Sequence, residues 1–166
     1  MRLHTYDYSR PGRYFITIDV EAMRCLFGFV SVGEMHLNAA GRMVEKWVLE
    51  LPKKYCGLQV EAFVVMPNHV HFILHSGKAG TELAGVITWF KTMTTNEYIR
   101  GARQKGWPRF DGRLWQRNYY DHIIRGGKSL DGIRLYIAEN PMRWESDRAN
   151  PECKRKREVN GWKDVF

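Results

Sequence analysis

Runs of apolar residues alternate with polar punctuation along this chain, and their spacing predicts the elements. "RYFITIDV" (Arg13 to Val20) reads as a first strand, and "CLFGFVSVG" (Cys25 to Gly33) as a short apolar edge strand after it. "LNAAGRMVEKWVLEL" then places Ala40, Val44, Trp47, Val48 and Leu51 at helical spacing, with Asn38 available as the cap. "GLQVEAFVVM" is a strand. In "AFVVMPNHVHFIL", Pro67-Asn68 suits a tight turn, so a second strand runs back from it as a hairpin. "TELAGVITWFKTMTTNEYIR" sets Leu83, Val86, Ile87, Phe90 and Met93 on one helical face. A Gly-, Arg- and Trp-rich loop runs from Gly101 to about Gln116, and "NYYDHIIR" reads as a further strand. "SLDGIRLYIAEN" is a third helix, capped by Ser129 and stopped by Pro141. This order predicts an α+β domain: a ferredoxin-like antiparallel sheet with helices packed on one face.

Composition narrows the class. The 166 residues are 44% hydrophobic and suit one domain over residues 1–150, followed by a basic C-terminal tail over 151–166 that includes "KRKR" (Lys154 to Arg157). Lys and Arg number 26 against 18 Asp and Glu, a net charge of +8, which favours a nucleic-acid partner without establishing one. Cys25, Cys56 and Cys153 are odd in number and lack CxxC spacing, so they are expected as reduced, packed thiols. "MRLHTYDYSRPGRYF" shows no apolar leader, and no run of about 18 apolar residues occurs. A cytoplasmic protein with no membrane partner is expected.

The chemistry concentrates in two places. His69 and His71 stand two apart on a strand, so both imidazoles point to one face, roughly 7 Å apart along the chain. A metal ion can use that geometry, although strand histidines also face solvent or bond elsewhere. In the third helix, Leu130, Ile133 and Ile137 form the stripe that packs on the sheet. Tyr136 and Asn140, four apart, stack on one margin of that stripe and could reach the imidazoles. The same spacing also suits a half-buried packing tyrosine and a last polar residue before Pro141. Tyr120 is a rival hydroxyl, His122 and Asp121 are possible supports, and His75 shares the histidine parity near the strand end. His4 and His36 carry no signal.

"VVMPNHVHFIL", "LWQRNYYDHIIR" and "LYIAENP", in that order, resemble the single-tyrosine HUH transposases, and most nearly the REP-associated tyrosine transposases. "NPMRWESDRANP" is similar to an ending common in that branch, and the likeness covers about Arg10 to Pro151. The resemblance implies a metal-dependent endonuclease and strand-transferase that acts on single-stranded DNA, often beside a hairpin. It implies His69 and His71 as metal ligands, Tyr136 as the nucleophile, and Asn140 completing the metal site where relatives often carry Gln. Mg²⁺ or Mn²⁺ is the implied cofactor, a 5′-phosphotyrosine with a free 3′-OH the implied intermediate, and either a monomer or a homodimer the implied assembly.

A DNA grip is read from the residues themselves. Arg100, Arg103, Lys105, Arg109, Arg113 and Arg117 face a single acid, Asp111, with Trp107, Phe110 and Trp115 between them. Cations for phosphates and flat rings for unstacked bases are what single strands need. Packing under the loop is the competing role for Trp107 and, more so, for Trp115. The rival function is a domesticated hairpin-binding protein with little or no catalysis. A relaxase or replication initiator fits a chain of this length poorly.

Overall fold

The structure, a computed structural model, describes residues 11–77 and 82–152. Its main sheet has four strands: β1 (Gly12–Asp19), β4 (Leu58–Val65), β5 (His69–Ser76) and β6 (Tyr120–Ile124), in the order β4-β5-β1-β6 and antiparallel throughout. The central pair is β1 with β5, whose register sets Thr17 opposite His71 and Asp19 opposite His69. A second, two-stranded sheet is formed by β2 (Gly28–Ser31) and β3 (Glu34–Leu37). The stretch expected as an edge strand therefore pairs with "EMHL" in its own hairpin. A positive φ of 74° at Gly33 makes the tight turn between them possible.

Helices α1 (Ala39–Lys54) and α2 (Leu83–Gln104) cover one face of the main sheet. Their Val44, Val48, Leu51, Val86, Ile87 and Phe90 pack on Tyr14, Ile16, Ile18, Val70, Phe72 and Leu74. Asn38 caps α1 as expected, its Oδ1 accepting from the Gly41 N–H at 2.9 Å, a contact of about 1 kcal/mol.

The third helix, α3 (Gly127–Arg143), lies on the opposite face. Its Leu130 and Ile137, with Ile133 beside them, pack on Ile73, Ile124, Phe15, Ala62 and Val64. The α+β class and antiparallel sheet are as read from the sequence, but the helices occupy both faces. The reason is that Ile73, Ala62 and Val64 make the second face apolar as well. A β-bulge between Val60 and Ala62 produces this, because it breaks the alternation and turns Ala62 and Val64 toward α3 while Phe63 and Val65 stay in the main core. Helix α3 also runs past its expected limits. It starts after Gly126 (φ 87°) rather than at Ser129, and it carries Pro141 in its last turn. There the ring's fixed φ is helical and only one N–H bond is lost.

Cys25 and Cys56 are exposed rather than packed, while His4, Cys153 and the "KRKR" run lie outside the described residues. Among the described residues no helix is long and apolar enough to cross a membrane.

Candidate functional site

Strand β5 delivers both imidazoles to the α3 face. Val70 and Phe72 are driven into the main core, and the period of two leaves His69 and His71 on the other side, both almost fully buried. Their ring centroids are 4.6 Å apart. Tyr136 comes down from α3 with its ring 5.3 Å from His71, and Phe15 on β1 stacks on the same imidazole at 5.2 Å. Phe15 also meets Tyr136 edge-on at 6.0 Å, so the phenol is steered by two rings while 37% of the residue stays open to solvent. Asn140, one turn further along α3, is buried beside both His69 and Tyr136. The four residues singled out by the sequence thus meet at one place.

Each imidazole is held through its Nδ1. His69 Nδ1 bonds Asn68 Oδ1 at 2.9 Å, and His71 Nδ1 bonds Thr17 Oγ1 at 2.8 Å. Each bond leaves the opposite ring nitrogen for the interior. His71 Nε2 and Asn140 Oδ1 are both buried without a hydrogen-bond partner. Buried orphans of this kind cost of the order of 1–3 kcal/mol each unless something binds them. Imidazole nitrogen and amide oxygen are donors that Mn²⁺ and Mg²⁺ accept, so the residues present fit a divalent cation. Among the described residues no three His, Cys, Asp or Glu side chains gather as a metal-binding group, so the third donor available here is the amide.

Electrostatics agree with that arrangement. Burial lowers the pKa of His69, against the charges of Asp147 and Asp19, and lowers His71 well below the ordinary value, with help from the His69 charge. Burial thus favours the neutral form of both rings. Burial raises the Tyr136 phenol, while the Asn140 amide opposes the rise. Burial also raises Asp19, partly offset by His69. Lys91 on α2 is lowered to about 8 by burial, and its ammonium donates to the carbonyls of Gln116, Arg117 and Asn118 at 2.8–3.3 Å.

The other candidates fall elsewhere. Tyr120 pairs with Thr17, so it shares the site's face but stands two strands away from His71 and is half exposed. His122 is exposed; Asp121 points to the opposite face and is buried. His75 is engaged by Glu61 at 3.2 Å. All six cations of the Arg100–Arg117 run are exposed. Arg103 and Arg109 line one shallow pocket with Phe110, whereas Arg113 and Arg117 flank the segment tied to β1 by the Gln116 N–H to Asp19 carbonyl bond at 2.9 Å. The rings between them turn inward. Trp115 is buried and donates to Thr94 Oγ1 at 2.8 Å, and Trp107 packs so tightly on Gly101 that a Cβ there would lie 2.2 Å from the indole. Three residues that sequence reasoning missed as site residues are Thr17, Asp19 and Asn68. Asn68 was visible only as a turn former.

The fold and its ordered motifs are those of a transposase class. The chain belongs to the IS200-like transposase family, which matches residues 37–140. It is 35% identical over 161 residues to an uncharacterised protein of Haemophilus influenzae, covering 89% of each chain. A second protein of that organism, named "Putative REP-associated tyrosine transposase", is 25% identical over 140 residues, covering 82% of this chain and 74% of that one. Among solved structures, a REP-associated tyrosine transposase bound to a REP hairpin has a similar fold. Its TM-score is 0.62 at 19% identity, over 86% of this chain and 74% of that chain.

Proposed function

We propose that this chain is a metal-dependent single-stranded DNA endonuclease and strand-transferase that works through a 5′-phosphotyrosine on Tyr136. The observation that carries this reading is the pair of orphaned buried polar atoms, His71 Nε2 and Asn140 Oδ1, beside a half-exposed phenol. Hairpin or palindromic DNA is the proposed partner, because the solved relative in fold was captured on a REP hairpin.

His69, His71 and Asn140 would hold the cation. When bound, Mg²⁺ or Mn²⁺ supplies Lewis-acid polarisation of a phosphate oxygen. The chain's own residues do the rest. Phe15 and His71 orient the Tyr136 ring so that its hydroxyl meets the scissile phosphate at the open margin of the site. Tyr136 Oη forms a bond to phosphorus as the bond to the 3′ oxygen breaks. The phenolic proton passes to water, and the departing oxygen takes a proton from water to become a free 3′-OH. Because the phosphodiester energy is kept in the tyrosyl ester, attack by a 3′-OH re-forms the DNA backbone and returns Tyr136. Exposed Arg100, Arg103, Lys105, Arg109, Arg113 and Arg117 would hold the strand by its phosphates.

Incubation of wild type with labelled single-stranded DNA that folds into a hairpin with a single-stranded flank, plus Mn²⁺, tests this. The expected product is a protein–DNA adduct that survives boiling in detergent. Tyr136→Phe should give none, while Tyr120→Phe still forms it. The reverse pattern would move the nucleophile to β6. If wild type binds hairpin DNA but forms no adduct, the chain is a hairpin-binding protein instead.

A further inference from the structure

We infer that Asn68 is a positioning residue: it dictates which ring nitrogen of His69 is presented to the site, and it ties that orientation to the chain following α3. The side chain is fully buried. Its amide nitrogen lies 3.0 Å from the Met23 carbonyl and 2.8 Å from the Ala149 carbonyl. Carbonyl oxygens only accept, so this end of the amide must be the NH₂ group, whichever way an amide might otherwise be flipped. The end facing His69 Nδ1 at 2.9 Å is then the oxygen, which only accepts. His69 Nδ1 must therefore carry the proton. A neutral imidazole has one, so Nε2 is left with a bare lone pair. A histidine side chain free in water prefers the opposite tautomer, so this one is imposed. His71 differs, because the Thr17 hydroxyl at its Nδ1 can donate or accept and dictates neither form.

The two donor bonds reach distant parts of the chain. Met23 belongs to the turn after β1, where Ala22 (φ 56°) and Met23 (φ 54°) both hold left-handed backbone that non-glycine residues seldom adopt. Ala149 sits in a turn closed by its own N–H to Asp147 Oδ1 at 2.8 Å, just past Trp144, whose ring is 6.1 Å from that of His69. One amide thus joins the β1 exit, the histidine strand and the segment that leaves α3. Partners of this kind orient metal ligands and raise affinity by about 10–100-fold. Only that consequence rests on the metal reading proposed above.

The test reads the tautomer directly, in metal-free full-length protein at pH 8, by two-bond ¹H–¹⁵N correlation of the histidine rings. Wild-type His69 should show the Nδ1–H pattern. Asn68→Asp, which keeps an acceptor, should retain it, and Asn68→Leu should revert to Nε2–H. In parallel, Mn²⁺ titration followed by electron paramagnetic resonance should show about 10–100-fold weaker binding for Asn68→Leu. An Nε2–H pattern in wild type overturns the inference, as does an unchanged pattern in Asn68→Leu. Should Asn68→Leu fail to fold, wild type and Asn68→Asp still decide it: an Nε2–H pattern in the aspartate variant overturns the inference, and an Nδ1–H pattern supports it. Wild type that shows the Nδ1–H pattern but binds no Mn²⁺ refutes the metal reading and leaves the positioning role standing.

Discussion

Replacing Glu61 by Gln should loosen α3 from the sheet and cost about 2–3 kcal/mol. Glu61 sits at the bulge in β4 with its side chain only 10% exposed, and three cationic or ionisable groups converge on it. Arg13 Nε approaches at 2.7 Å, His75 Nδ1 at 3.2 Å and the Arg134 guanidinium at 3.0 Å. The Arg side chains are 40% and 45% exposed, so water screens much of each Coulomb attraction. About 1 kcal/mol remains for the Arg134 pair, and about 1.5–2 kcal/mol for the short charge-assisted bond from Arg13 to a nearly buried carboxylate. Gln keeps the shape and one acceptor but turns an NH₂ group toward a cation. For a domain of this size that lowers the unfolding temperature by roughly 4–10 °C. Arg134 lies two residues before Tyr136 on α3, so adduct yield should fall more than fold stability alone explains. Circular dichroism melts give the first quantity, and a double cycle with Arg134→Met isolates the α3 contact, expected near 1 kcal/mol. A melting shift below about 2 °C, or zero coupling to Arg134, would refute the reasoning.

Three further outcomes follow from the site. Burial lowers the folded-state pKa of both His69 and His71 below 6.5, so the stability they confer is complete above 6.5 and is lost as pH falls through their folded values. Wild type should therefore melt progressively lower from pH 7 to 5, and His71→Gln should flatten that fall; equal slopes would remove the buried-neutral assignment. Asp19, raised from 3.8, acts in the opposite sense and should partly blunt the loss at the acid end. His71→Ala should abolish Mn²⁺-dependent cleavage with the fold retained, and cleavage at the parent rate would discard the ligand. Neutralising Arg103, Lys105 and Arg109 together should flatten the log-salt slope of DNA binding by up to about 2 units, whereas an unchanged slope would place these cations away from the strand.

The features legible in the sequence were those set by local period. The histidine strand, the Asn38 cap and the Tyr136–Asn140 pairing all depend on spacings of two to four residues. The misread features depend on contacts between distant segments. Asn68 passes for a turn former because its partners, Met23 and Ala149, lie 45 and 81 residues away. The second apolar face was hidden by a bulge, since one inserted residue inverts the alternation of everything after it. Pro141 reads as a stop, yet in a last turn the lost hydrogen bond is too cheap to end the helix. Trp107 fits base stacking by composition, but composition does not say which way an indole faces, and it packs on Gly101; Trp115, beside a strand, was expected to pack and does, donating to Thr94.

Covering the sheet unequally on its two faces has a kinetic consequence. Helices α1 and α2 share an extensive core with the sheet, whereas α3 is fastened chiefly by Leu130 and Ile137 against Ile73 and Ile124, and by the Glu61 cluster. Opening free energies follow buried contact, so α3 should form its own cooperative unit that detaches while the rest of the domain stays folded. Its backbone amides should then exchange with deuterium well ahead of those of β1 and β5. The proposed nucleophile would ride on the part of the molecule that lets go first, and a DNA end joined to it would swing with that helix.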